Sequence, residues 1–235
     1  MFLWEKKVFD YVNNEQIYQK IKLYVDLVLE QNKNFNLTGF DEEKIWIDGI
    51  YQSIVLLDKF IDYKNKNKIH LLDIGAGAGF PSIPFFIFSN NKIANLTIYE
   101  PIKKRCIFLN LVKEKLNLEN LNIVNKRIED SSSENEFDYI VARAVMPLNM
   151  LIEVSYRCGK NNSNYIFLKS KDVFKEIENS QWIIKQFSID DLMITNVELE
   201  DDREHNVVTY SKKNKIPKNF PRKWSEIKKG KNKNE

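Results

Sequence analysis

Cysteine is nearly missing from this chain of 235 residues, with only Cys106 and Cys158 present. They lie far apart with no C-x-x-C. Neither a disulfide framework nor a zinc ribbon can be built from them, and a reducing cytoplasm is the expected compartment. Histidine is as scarce. His70 and His205 both fall in β-like runs with no carboxylate or metal constellation recognisable around them. Both read as structural, and no metal site is expected. There is no long uninterrupted apolar run either. The most apolar stretch, 71–88, contains Asp73, three glycines and two prolines, which excludes a membrane span. The opening residues, Met1-Phe2-Leu3-Trp4-Glu5-Lys6-Lys7, carry no charged leader followed by an apolar core, so no signal peptide is expected. Arginine is rare, six residues against 30 lysines, and glycine rarer than usual at seven.

What is present bounds the answer further. A hydrophobic content of 43% supports a real core, and the length suits one domain with a modest extension. The net charge is only +3, but it is unevenly placed. Residues 211–235 hold ten Lys or Arg and two Glu, so the tail carries +8 and the other 210 residues −5. A basic tail on a slightly acidic body points to a polyanion partner, or else to a solvated terminus in a Lys-rich composition. With 30 Lys and 27 Asn dominating the polar residues, Arg should persist chiefly where a planar, multi-donor cation is needed. The six are Arg105, Arg127, Arg143, Arg157, Arg203 and Arg222.

The periodicity predicts helix over 4–33, a break over 32–38, and a second helix over 42–60. A polar linker follows at 62–68. From residue 69 the rhythm becomes strand, helix, strand. Strands are expected at 69–74, 95–99, 121–124, 137–142 and 165–168, and helices at 81–89, 102–117 and 148–157. Such alternation argues for βαβ units and a parallel sheet covered on both faces. Two β-like runs between 193 and 210 suggest a closing hairpin. The organisation expected is a helical extension at 1–62, a core at 63–211, and a basic tail at 212–235.

Asp73-Ile74-Gly75-Ala76-Gly77-Ala78-Gly79 follows the first strand. A glycine-rich turn there lets backbone approach a ligand at the carboxyl end of the sheet. The spacing is G-x-G-x-G, with Phe80 where a dinucleotide fingerprint wants its third glycine, and no phosphate-binding G-x-x-x-x-G-K-[ST] occurs. Glu100 ends the second strand, where a carboxylate can accept from both ribose hydroxyls. An acid in that place would also suit a dinucleotide. The loop and acid together point to S-adenosyl-L-methionine, whose methionine half carries no phosphate.

These residues resemble the small-subunit ribosomal RNA methyltransferase G family, GidB, from about residue 34 to 224. Asn36-Leu37-Thr38 resembles its N-L-T. Residues 73–84, reading D-I-G-A-G-A-G-F-P-S-I-P, resemble its D-[IV]-G-[ST]-G-x-G-[FL]-P-G-I-P, a string far more specific than the glycines. Residues 100–109 resemble [ED]-S-x-x-K-[KR]-x-x-F-L. Arg127-Ile128-Glu129, Ala142-Arg143-Ala144-Val145, Arg203 and Phe220-Pro221-Arg222 match further motifs, so five of the six arginines stand on motif positions. The resemblance implies an α/β, Rossmann-like class I S-adenosylmethionine-dependent methyltransferase sheet with an N-terminal helical extension. It implies methylation at N7 of one guanine of 16S rRNA in the small ribosomal subunit, the 530-loop guanine at position 527 of the usual rRNA numbering. It further implies that Gly75 and Phe80 line the cofactor, Glu100 holds the ribose, Ile128 and Glu129 meet the adenine, and Arg143 stands near the methyl-transfer site as a positioning candidate.

The chain departs from the family pattern in places. The family's H-x-x-D-S is represented by Gly49, Gln52 and Ser53, its L-K-G by Leu168-Lys169-Ser170, and the small residues after Pro-Arg are replaced near Trp224-Ser225. Guanine N7 has a free lone pair and no proton, so the chemistry needs alignment and desolvation, not a general base. Lys212, Lys213, Lys215, Lys218, Arg222 and Lys223, with Phe220 and Trp224 between them, are candidates for phosphate contact and base stacking. Neither a DNA nor a membrane partner is expected, and a monomer is the default. Competing readings are a methyltransferase on another substrate, an NAD-dependent oxidoreductase, and a non-catalytic RNA-binding relic.

Overall fold

The computed structural model describes residues 2–65, 68–201 and 203–229. Seven strands form one sheet: β1 (Ile69–Ile74), β2 (Ile93–Tyr99), β3 (Leu121–Val124), β4 (Phe137–Arg143), β5 (Gly159–Lys169), β6 (Met193–Glu198) and β7 (Glu204–Ser211). Their order is β3-β2-β1-β4-β5-β7-β6. The first five pair in parallel. β7 runs antiparallel against both β5 and β6, the hairpin expected from the sequence.

The central strands are apolar on both faces because both faces are covered. Neighbours along β1 enter different cores. Leu71 joins Ile98, Val141 and Ile166 on one side, and Leu72 joins Ile140, Tyr165 and Phe167 on the other. The first core is closed by helices Leu3–Val12 and Glu15–Asn34, the helical stretch 42–60, and helices Ser82–Phe88 and Lys103–Lys115. The second is closed by helices Leu148–Ser155 and Val173–Gln186 and by the short C-terminal helix Trp224–Ile227.

Four local features differ from the sequence expectation. The first helix is two, broken where Asn13 takes φ 45° and Asn14 caps the next helix by accepting the Ile17 amide at 3.1 Å. The 42–60 helix contains a π-helical segment, Ile45–Tyr51, between Glu42–Lys44 and Gln52–Phe60. Helix Val173–Gln186 was not expected. It buries Val173, Ser180 and Ile183 fully and packs Ile177, Trp182 and Ile184 against the second core.

The fourth is the tail, which is not merely solvated. Lys212 is buried, its Nζ donating to the Gly159 carbonyl at 2.7 Å and Asn135 Oδ1 at 2.9 Å. Phe220 meets Phe187 edge-on at 5.1 Å, and Ile227 is buried. The last six residues of the predicted tail, and two of the predicted linker, lie outside the described residues. Among the described residues no helix is long and apolar enough to cross a membrane.

Candidate functional site

The sheet order reverses at β1, whose neighbours are β2 on one side and β4 on the other. Chains leaving the carboxyl ends of such a pair diverge and leave a crevice, the usual ligand position in open α/β sheets. A cleft of roughly 350 Å³ lies there. Ile74 and Gly75 line it after β1, Tyr99 and Pro101 after β2, Arg127, Ile128 and Glu129 after β3, and Val145, Met146, Pro147 and Met150 after β4. Trp224 and Lys228 of the tail complete its wall.

Gly75, Gly77 and Gly79 have φ of +71°, +61° and +107°. Glycine takes such angles without strain, and the +107° of Gly79 suits no other residue. Gly75 is also held for space, since a Cβ there would stand 2.4 Å from the Val145 side chain. The loop is pinned by Glu100. Its Oε2 accepts the Gly77 amide at 3.0 Å and its Oε1 the Ile102 amide at 2.9 Å, with Arg105 Nη1 at 3.8 Å. Glu100 is thus buried inside the loop it was expected to face. A carboxylate has lone pairs beyond these two bonds, so ribose hydroxyls remain compatible acceptor partners. Asp73, below the loop, is fully buried with neither oxygen hydrogen-bonded in good geometry. Desolvation pushes its carboxyl up to about 7, opposed by nearby Ser82 and the Arg143 charge.

Arg143, at the end of β4, turns away from this cleft. Its Nη1 donates to the Asp48 carbonyl and more weakly to Ser53 Oγ at 3.4 Å. Burial lowers its guanidinium to about 10, opposed by the Asp48 and Asp73 charges, so it stays cationic at neutral pH. Phe80 lies 5.3 Å from it, packed with Phe40 and Tyr24. Phe80 is buried and is not on the wall of this cleft. Gly49 makes room for it, since a Cβ at Gly49 would come within 2.7 Å of the Phe80 ring. Gly49, where the family pattern has histidine, thus lies against the aromatic ring of the glycine loop.

A second cleft, roughly 360 Å³, lies on the Arg143 side among Phe40, Asp48, Gln52, Ser170, Arg203, His205 and Asn206. Polar groups there form one network. Arg203 bridges Asp48 at 2.5 Å and Asp201 at 2.7 Å, and Gln52 donates to both at 2.7 and 2.9 Å. His205 Nε2 stands 2.7 Å from Asp201 Oδ1. The sequence reading found no carboxylate for His205. The partner comes from the β6–β7 turn, four residues before it. A third, larger groove of roughly 600 Å³ runs from Ala144 and Pro147 to Lys169, Ser170 and Lys175. Lys169 is held there by Glu176 at 2.7 Å.

The loop 144–147 joins these spaces. Val145, Met146 and Pro147 line both the switch-point cleft and the large groove, and Ala144 (φ +49°) lines both the groove and the Arg143 cleft. Of the sequence-predicted residues, Gly75, Ile128 and Glu129 meet in one cleft, Glu100 supports its floor, and Arg143 and Phe80 stand behind it. Val145 and Lys228 were missed, and Trp224, expected to stack on RNA, lines this cleft instead. Arg222 and Lys212, expected to face RNA, are occupied instead. Arg222 is bound to Glu153 at 2.7 Å, with side chains 11% and 1% exposed.

The cofactor expected from the sequence fits this cleft. Glu129 Oε1 is buried with no hydrogen-bond donor among the described residues, and the Arg127 guanidinium is 3.8 Å away. Burial raises the Glu129 carboxyl, with Arg127 pulling against it. A buried acceptor without a donor, beside apolar Ile128 and Met150, suits a flat heterocycle with an exocyclic amine. Among the described residues no cluster of His, Cys, Asp and Glu could hold a metal.

Comparisons with known proteins agree. The family model for rRNA small subunit methyltransferase G, GidB, matches residues 17–207. A ribosomal RNA small subunit methyltransferase G of Mycoplasmopsis pulmonis is 38% identical over 211 residues, covering 88% of this chain and 90% of that protein. One from Clostridium perfringens is 34% identical over 219 residues, covering 91% and 90%. The fold matches a solved putative S-adenosyl-L-methionine-dependent methyltransferase of Methanococcus maripaludis. The TM-score is 0.54 at 17% identity, covering 69% of this chain and 85% of that one. A glycine-loop cleft at the switch point, a sheet of methyltransferase type and this likeness along most of its length lead to one statement: the chain belongs to the rRNA small subunit methyltransferase G family.

Proposed function

We propose that this chain transfers a methyl group from S-adenosyl-L-methionine to N7 of one guanine in 16S rRNA, the 530-loop guanine, acting on the small ribosomal subunit. Bound in the cleft, the cofactor supplies an electrophilic methyl. Gly75 and the buried Glu100 behind it would seat its ribose and methionine portion, and Ile128 and Glu129 its base. The observation that carries this reading is the loop 144–147, where the cofactor cleft meets the spaces open to a large substrate.

N7 brings its own lone pair, so no side chain has to remove a proton. What the chain supplies is position and dryness. His205 has its Nε2 against Asp201 Oδ1, and the reaction asks no base of it. The methylated guanine is cationic, so Arg143 beside the reacting base would oppose the reaction. Its bonds to Asp48 and Ser53 instead make it a positioning residue, clamping the 42–60 helix to the end of β4.

The organisation supports the same division of labour. The extension 1–62 contributes Phe40, Asp48 and Gln52 to the substrate side, the core 63–211 supplies most of the cofactor cleft, and 212–235 completes its wall and brings positive charge. A ribosomal substrate places the protein in the cytoplasm, acting as a monomer on RNA and not on DNA. The decisive test is methyl transfer from labelled S-adenosylmethionine to small subunits from cells lacking this gene, mapped by cleavage at N7-methylguanine. Incorporation at one 530-loop guanine is expected. Incorporation elsewhere would overturn the site assignment, and none at all, with cofactor bound, would favour the relic reading.

A further inference from the structure

The tail enters the cofactor cleft at one residue. Trp224 opens helix Trp224–Ile227 and lines the cleft at the end marked by Ile128 and Glu129. The segment is fixed from both sides. Arg222, two residues before, donates to buried Glu153 through Nε at 2.9 Å and Nη2 at 2.7 Å, and Ile227, three residues after, is buried. The ring itself is flanked by cations, with the Arg127 guanidinium 5.6 Å and the Lys228 ammonium 5.4 Å from its centre. Trp224 is therefore a placed wall, not a loose end.

We propose that Trp224 is a cofactor-binding residue of this chain, contacting the adenine of S-adenosylmethionine, so that the C-terminal segment is part of the cofactor site. This rests on the reading of the cleft as the S-adenosylmethionine site. The apolar faces of Ile128, Met150 and Trp224, set between the charges of Arg127, Glu129 and Lys228, do not themselves suit the charged methionine half. They suit the flat, uncharged base, and its exocyclic amine meets the one carboxylate oxygen there that lacks a donor, on Glu129. An indole beside a purine gives contact area that no small side chain at this position could supply.

The test is equilibrium binding of S-adenosylhomocysteine and of adenosine, by titration calorimetry, to the full chain and to Trp224→Ala and Trp224→Phe. The wild-type protein binds both. Trp224→Ala weakens both by about tenfold, while Trp224→Phe restores most of the affinity, because a ring and not the indole N–H makes the contact. Thermal melts report whether Trp224→Ala remains folded. If it does not, Trp224→Phe, Trp224→Leu and the wild type still rank the contact, with Leu binding as weakly as expected for a lost ring. Equal affinity for Leu, Phe and Trp would overturn the inference while leaving the cofactor reading intact. Failure of the wild-type protein to bind S-adenosylhomocysteine would overturn both.

Discussion

Asp73 carries the sharpest single-residue consequence. Its carboxyl is ordinarily near 3.8 and stands at about 7 in the fold, chiefly through desolvation. Between those values the folded protein binds the proton and the unfolded chain does not. Stability is therefore lost as pH rises from about 4 to 7 and is flat above. Asp73→Asn removes that titration. The variant's stability relative to wild type should rise across the same window, by at most about 4 kcal/mol at pH 8. Thermal melts at pH 5 and pH 8 check it, and a difference that does not change with pH would show that Asp73 stays ionised. Glu100 is the second case. Removing it costs the Gly77 and Ile102 amides their acceptor as well as the ribose its own. Glu100→Ala should weaken S-adenosylmethionine binding by ~1.5–3 kcal/mol, measured by calorimetry. Unchanged affinity would remove Glu100 from the site.

At the scale of elements, the 42–60 helix and the glycine loop are fitted to each other through Gly49 and Phe80. A Cβ at 49 would press on the ring at 2.7 Å. The ring cannot yield freely, because Phe40, Tyr24 and Arg143 surround it. Gly49→Ala should destabilise the fold by about 1–3 kcal/mol, despite the better helix propensity of alanine. Chemical denaturation measures this directly, and a stabilised variant would mean the ring moves at no cost. The same pair shows what a sequence can and cannot disclose. The strands were legible because buried parallel strands are continuous apolar runs, and the glycine loop because positive φ needs glycine. Gly49 reads only as a departure from a pattern, since its meaning is a contact with a residue 31 positions away. The Asp201–His205 pair was hidden for the same reason of geometry, a turn folding one onto the other. Helix Val173–Gln186 did leave a period, Val173, Ile177, Ile183 and Ile184 facing the second core, and the sequence reading overlooked it.

Over the whole molecule, the question is what the excess charge of the tail does. Composition treats residues 211–235 as one basic segment, but the fold divides it. Lys212 and Arg222 are spent inside, on Gly159, Asn135 and Glu153, and Lys213 pairs with Asp190 at 2.9 Å. Truncation after Tyr210 would thus damage the second core along with any RNA contact. Breaking the buried pair alone by Glu153→Ala should cost about 3–5 kcal/mol, because Arg222 is left inside without its carboxylate. Lys215, Lys218, Lys223 and Lys229 are exposed, with no ion-pair partner among the described residues. Among the described tail residues these four, with Lys228 over the Trp224 ring, are the cations left for phosphate. Replacing all four by Gln should leave the melting temperature and S-adenosylmethionine affinity near wild type. It should lower RNA affinity and reduce the salt slope by up to about 3, as each lost phosphate contact releases one counterion fewer. Binding to the small subunit across a salt series decides it. A slope equal to that of wild type would assign the electrostatic contact to another face and leave the tail as a structural strap over the cofactor cleft.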